Sequence, residues 1–266
     1  MLRKILSILI VLAIATSMPA HARTLDEIIK DGTIRIGVNP NFPPMSSFGM
    51  TNQLEGFDVD IGNALAEALG VEAEFVTTEA AQRVPFLISN RIDIALGAMT
   101  RTPKRAKVIS FTVPLHSEAM GVITTNKVDV SSWTELNSED ITLVNMRGNL
   151  SVEILQDKLP KPKVLLVDGN ADTIRAIAQG RADALIENVD FFLHFTKNYR
   201  NVTWRVLNDT IFVAYCGIGV GMGNDELRDY LNVLLYDLHS TEVVNETWMK
   251  WYGTPMAVPI TPNPYF

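Results

Sequence analysis

Leu96-Gly97-Ala98-Met99-Thr100-Arg101-Thr102-Pro103-Lys104-Arg105 offers the chain's clearest chemistry. It closes an apolar strand, Ile92 to Leu96, with a turn of small residues. Thr102-Pro103 then reads as a helix start, with Thr at N-cap and Pro at N1. Strand ends of this kind are where open α/β sheets meet ligands. Arg105, one helical turn past the cap, can reach back over the same crevice. Its planar fork suits a carboxylate gripped by two parallel hydrogen bonds. The alternative for Arg105 is a surface arginine beside a strand end. Asp58 and Asp60 form a second candidate, a pair of carboxylates two residues apart. Acid–base catalysis is one use for such a pair. Capping is the expected one, because both stand at a helix start where free N–H groups and the dipole favour them. Phe42, stiffened by Pro40, Pro43 and Pro44, is either an aromatic wall or a packed core ring.

Other chemistry is absent from the pattern. Gly217-Ile218-Gly219-Val220-Gly221-Met222-Gly223 fails dinucleotide spacing, since Met222 and Asn224 stand where a third glycine is needed. These glycines are expected to let the chain cross between lobes and turn at Gly221 to Gly223. His116, His194 and His239 fall in no HExxH pattern, and Cys216 has no partner cysteine, so no metal, cofactor or internal disulfide is expected. His116 alone lies near a predicted crossing. No Gly-x-Ser-x-Gly elbow is present.

The elements that must position these residues alternate between β and α. Helix 25–30, stopped by Asp31-Gly32, precedes a β-branched strand over 33–38. Ile61, Ala64, Leu65, Ala68 and Leu69 recur at helical spacing. Strand 71–77, helix 83–89 and strands 108–111 and 120–125 follow. After a polar, turn-rich stretch over 131–140, a second series runs through strand 141–144, loop 145–149, helix 150–158, strand 164–167, helix 170–179, strand 184–186 and helix 189–198. Strands 202–207 and 211–220 and helices 225–238 and 243–251 complete it, the last with Trp248 and Trp251 as core anchors. Such alternation predicts sheets with helices on both faces. The organisation expected is α/β, with lobe 1 from 23–117 and 214–266, lobe 2 from 118–213, and two crossings between them. Small ligands bind in such clefts and hinge closure acts there.

The chain has 266 residues, 47% hydrophobic and 20% charged, as expected of a packed globular protein. Met1-Leu2-Arg3-Lys4, an apolar run from Ile5 to Ser17 and Ala20-His21-Ala22 read as a secretory leader, 1–22, cleaved after Ala22. Two of the 23 basic residues fall in that leader; without them 21 face 30 acidic ones, a net charge near −9. That argues against nucleic acid or an anionic membrane as partner.

Gly56-Phe57-Asp58-Val59-Asp60-Ile61, continuing through Leu65-Ala66 to Leu69, resembles the signature of bacterial extracellular solute-binding proteins of the polar amino acid type. Asn39 to Pro44, Gly97 to Arg105 and Gly180-Arg181-Ala182-Asp183-Ala184 support the resemblance, which spans Leu25 to Gly253. It implies a type II periplasmic-binding fold, a closing cleft, a monomer and an inner-membrane ABC permease as partner. It also implies roles: Arg105 for a ligand carboxylate, Thr100 and the backbone of Ala98 for an ammonium, and Phe42 for the wall. Gly148, Asn149 and Leu150 would supply N–H groups at a helix N-terminus. Three positions depart from the family pattern. Asn188 stands where an acid usually neutralises the ammonium, which removes a charge-assisted bond. Glu187 or Asp190 could substitute. Ala80 replaces a bulky cleft residue, and Leu150 replaces a hydroxyl. These changes suggest a less cationic solute, or a carboxylate without a free ammonium.

Three functions fit. The first is a periplasmic receptor that captures a small carboxylate-bearing solute for an importer. The second is an exported cyclohexadienyl-type dehydratase, which needs a proton donor in the cleft. The third is a free accessory or sensory subunit of the same fold.

Overall fold

The computed structural model describes residues 22–262, apart from 190, 192–195, 197 and 208. The expected leader, except Ala22, and most of the expected helix over 189–198, His194 and Asp190 included, lie outside the described residues. Among the described residues, no helix is long and apolar enough to cross a membrane.

The first half opens with α1 (Leu25–Asp31), β1 (Thr33–Val38), β2 (Asn41–Phe42), β3 (Ser46–Phe48) and β4 (Leu54–Glu55). Next come α2 (Phe57–Leu69), β5 (Glu72–Thr77), α3 (Arg83–Ile88), β6 (Ile94–Ala95) and the long β7 (Ile109–Thr125). The second half contains β8 (Thr142–Met146), α4 (Leu150–Lys158), β9 (Lys163–Val167), α5 (Asn170–Ala178), β10 (Ala184–Asn188) and β11 (Trp204–Val206). The chain ends with β12 (Phe212–Gly221), α6 (Asp225–Ser240) and α7 (Val243–Tyr252).

Nine strands form one sheet in the order β5-β1-β6-β12-β7-β10-β8-β9, with β11 also beside β7. β1 pairs in parallel with β5 and β6, and β8 with β9 and β10. Between these parallel groups runs the antiparallel pair β7–β12, continuous from Ile109–Gly221 to Met120–Phe212. The two strands expected over 108–111 and 120–125 are therefore one. Pro114 hides this in the sequence, since proline cannot donate to a ladder. The ladder accommodates it by register shifts around Gly217, which pairs with Pro114.

Alternation along each strand explains the two-faced packing. Val122, Leu143 and Ile186 join Leu155 of α4 in one core, while their neighbours Ile123, Val144 and Leu185 join Ile174 and Ile177 of α5 in another. In the first half Ile34 and Ile36 pack with Phe57, Ile61 and Leu65 of α2, Leu231 of α6 and Trp248 of α7. Leu87 of α3 covers the other face with Ile92, Ala95 and Met99. Each buried Leu or Ile contributes about 1.5–3 kcal/mol.

The strand-preceding aspartates repeat one device. Asp93 donates its N–H to Arg35 O at 2.9 Å and accepts Arg35 N–H at 2.7 Å. Asp183 does the same with Thr142, both at 2.7 Å. Asp93 additionally pairs with the guanidinium groups of Arg35 and Arg23.

Several expectations need correction. Asn39 to Pro44 does not simply break regular structure; Asn41–Phe42 opens a three-stranded antiparallel sheet with β3 and β4. The helix expected after Thr102-Pro103 is only a 3-10 turn, Arg105–Lys107, although Thr102 Oγ1 does accept the Arg105 N–H at 3.2 Å. Gly217 to Gly221 lie within β12 and only Met222-Gly223 turns; Gly219 gives room to Leu87, whose Cδ1 would stand 3.1 Å from an added Cβ. Neither aspartate of α2 caps it. Gly56 is the N-cap, with no side-chain cap bond. Asp60 instead accepts from Lys250 Nζ at 2.6 Å and Trp251 Nε1 at 2.7 Å, tying α7 to α2.

Candidate functional site

The parallel strands of both halves point their C-terminal ends at one cleft. Phe42, Ala98 and Thr100 line it from the first half, Asn149, Leu150, Ser151 and Glu187 from the second, and Glu118 and Met120 from β7. The space between them is about 10 Å³, room for about one water. A solute of amino acid size therefore enters only if the walls part.

Arg105 spans the cleft. One Nη donates to Thr100 O at 3.0 Å, the other to Gly148 O across the divide at 3.1 Å. Lys104 and Glu153 add an ion pair at 3.3 Å between the same segments. Burial lowers the Arg105 pKa, opposed by Glu153, Cys216 and Glu118. Its side chain does not line the small space itself. Ala98 takes a left-handed φ of 55°, which turns the backbone sharply beneath Thr100. Thr100 is buried, and its N–H bonds Ala98 O at 2.9 Å. Phe42 is both wall and packed ring: it lines the space and meets Phe191 edge-on at 4.5 Å.

The second-half wall differs from expectation. Asn188 is fully buried and does not line the space; its amide donates to Glu118 Oε1 at 3.3 Å. Its neighbour Glu187 lines the space instead. The Glu187 carboxyl accepts the Asn188 N–H at 3.1 Å and a bond from the Asn149 side chain. Burial, then the nearby Glu118, pushes the Glu187 pKa up to about 8, while Asn188, Asn149 and Arg83 pull the other way. The Asn149 N–H, expected to face a ligand carboxylate, bonds Met146 O at 3.2 Å. Ala80 does not line the space either; its carbonyl accepts from Arg83 Nε at 3.3 Å.

Arg83 and Glu118 carry no signal in the sequence, and Asp58 does not do what its helix-start position suggests. Arg83 is buried, and its guanidinium bonds Gly97 O, bracing the turn that carries Ala98 and Thr100. Burial, then Arg105, lowers its pKa to about 10. Asp58 is fully buried, close to Arg83 and the Gly97 backbone. Burial raises its pKa to about 7, partly offset by Arg83 and the Gly97 backbone. Glu118, beside the crossing on β7, lies buried near Cys216, whose thiol is held well up by burial and by that carboxylate. His116 is buried, with its pKa pushed down to about 3 by burial and then by His239. The result is a cleft with a guanidinium from one half and carboxyl groups from the other half and the crossing.

Residues 34–254 match the bacterial extracellular solute-binding proteins, family 3. A probable amino-acid ABC transporter-binding protein from Haemophilus influenzae is 27% identical over 91% of this chain and 93% of its own. Among solved structures, an ancestral amino acid-binding protein, a precursor of cyclohexadienyl dehydratase, shares 29% identity with a TM-score of 0.79, over 86% of this chain and 99% of its own. The L-cysteine solute receptor of Neisseria gonorrhoeae shares 28% with a TM-score of 0.79, over 86% and 93%. These relatives carry the type II periplasmic-binding fold expected from the sequence. The match covers the strands, the cleft and both crossings, and the chain belongs to the bacterial extracellular solute-binding proteins, family 3.

Proposed function

We propose that this protein is the periplasmic receptor of an ABC importer and that its solute is an α-amino acid. The observation that carries the reading is the polarity of the cleft: Arg105 bridges the two halves beside the small space, from Thr100 O to Gly148 O, while Glu187 and Glu118 line it. The guanidinium takes the α-carboxylate in place of the Thr100 and Gly148 carbonyls, and Thr100 takes the ammonium with Glu187, whose carboxyl releases its proton to solvent as the cation arrives. This revises the less cationic solute expected from Asn188, because the acid is supplied one residue earlier. Relatives named for arginine, glutamine and L-cystine binding support the class without choosing the side chain.

Residues 23–117 with 214–266 act as one lobe and 118–213 as the other, hinged on β7 and β12. The ligand shifts the population toward the closed form by its higher affinity for it. The leader is cleaved after Ala22, the mature protein is monomeric, and it neither binds nucleic acid nor turns its ligand over.

Thermal unfolding of the mature chain tests this. L-amino acids are compared with the same compounds lacking the amino group and the same compounds lacking the carboxylate. Compounds with both groups should raise the melting temperature, a ligand at 100 times its Kd stabilising by about 2.7 kcal/mol. Equal stabilisation by the carboxylates alone would contradict the assignment of Glu187.

The raised Glu187 also favours a second reading. A carboxyl protonated up to about 8 can donate to a departing hydroxyl, as a cyclohexadienyl-type dehydratase requires. Turnover of arogenate or prephenate that Glu187→Gln abolishes would support it; unchanged substrate would reject it.

A further inference from the structure

His116 and Glu118 stand on β7, and Cys216 faces His116 across the ladder on β12. One ligand atom from each lies within 4.8 Å of the others, the one such group of three among the described residues. His116 Nε2 is 4.0 Å from Glu118 Oε1, and Cys216 Sγ is 3.4 Å from Glu118 Oε2. Donors bound to a tetrahedral ion at about 2.0–2.3 Å stand about 3.3–3.8 Å apart, so small side-chain shifts suffice. All three residues are at most 4% exposed. Neither ring nitrogen of His116 has a hydrogen-bond partner, an uncommon state for a buried imidazole. Packing fixes the ring, with Phe57 and Trp248 centred 5.6 and 5.5 Å away.

We propose that His116, Glu118 and Cys216 bind a divalent transition-metal ion of the zinc type at the floor of the cleft. Imidazole, carboxylate and thiolate together suit zinc, whereas magnesium and calcium take oxygen donors. On binding, the thiol releases its proton to solvent and the metal–sulfur bond replaces S–H. Glu118 and Thr100 both line the cleft, and Thr100 Oγ1 is 3.8 Å from the sulfur. The fourth coordination position thus falls to water entering from the cleft. The ion would pin β7 to β12 beside the ladder irregularity at Gly217, so its occupancy would stiffen the hinge.

Because Cys216 is the chain's only cysteine, a thiolate signal has one possible origin. Chelator-treated mature protein is titrated with cobalt(II) and then zinc, with no amino acid added. One equivalent of cobalt should produce a thiolate-to-metal charge-transfer band in the near ultraviolet, which zinc then displaces. Cys216→Ser should lose the band, and His116→Gln should change the visible cobalt spectrum. Circular dichroism checks both folds, and the near-isosteric Cys216→Ser carries the test if His116→Gln does not fold. No band in the parent protein, or cobalt binding with an unchanged spectrum in Cys216→Ser, would overturn the proposal. Either result leaves the amino acid reading to its own assay.

Discussion

β6 and β10 begin alike and end differently. Before each stands an aspartate that exchanges hydrogen bonds with the backbone of the neighbouring strand: Asp93 with Arg35, Asp183 with Thr142. After β6 the chain passes into Gly97, Ala98 and Thr100 and on to Arg105, a turn of small residues and a cation. β10 itself ends in Glu187 and Asn188, an acid and an amide. The two halves share their construction at the sheet's far end and diverge at the cleft. A buried carboxylate surrounded by donors, such as Asp93, is held below its usual range by Arg23 and Arg35 despite burial. Glu187, with amide partners and Glu118 nearby, is held far above it. Burial is common to both; the partners decide whether the carboxyl pKa falls or rises.

Breaking the braces should separate the halves by magnitude. Asp93→Ala strands two partly buried guanidinium groups and should cost about 3–5 kcal/mol in urea unfolding, with solute affinity of the folded protein unchanged. Glu187 should act through pH. A raised carboxyl pKa means the folded state holds a proton that the unfolded state has lost. Its contribution to stability is therefore full below the ordinary glutamate range and declines as pH rises toward about 8. The decline is at most about 1.4 kcal/mol per pH unit. Glu187→Gln should flatten that part of the pH–stability curve, measured by denaturant titration at successive pH values. Asp183→Ala, which removes one acceptor for the Thr142 N–H and no arginine pair, should cost only about 1–2 kcal/mol. If Asp183→Ala proved costlier than Asp93→Ala, the contrast between the two braces would be wrong.

Much of the scaffold was legible because local rules agree with it. The β-branched run at 33–38 is β1, and α1 ends at Asp31 with Gly32 in the left-handed region as its C-cap. The signature from Gly56 to Leu69 marks α2 correctly but misassigns Asp58, because a carboxylate at a helix start looks the same whether it caps or is buried. Proline and polar residues from Pro114 to Glu118 disguise the middle of β7, and only the pairing with β12 reveals it. For the same reason His116 and Cys216 could not be brought together from spacing, being a hundred residues apart in sequence but opposite in register. The resemblance puts Asn188 at the ligand. At the end of β10 the neighbouring Glu187 lines the cleft instead, because adjacent positions on a strand face opposite ways and the sequence alone does not say which faces the cleft.

The central claim is that one guanidinium from the first half anchors the carboxylate of an amino acid held by acids from the second. Isothermal titration of the parent protein and Arg105→Ala, with whichever L-amino acid raises the melting temperature most, tests it most directly. The account predicts a loss of about 2–5 kcal/mol in binding free energy with the fold intact. An affinity unchanged by Arg105→Ala would contradict it.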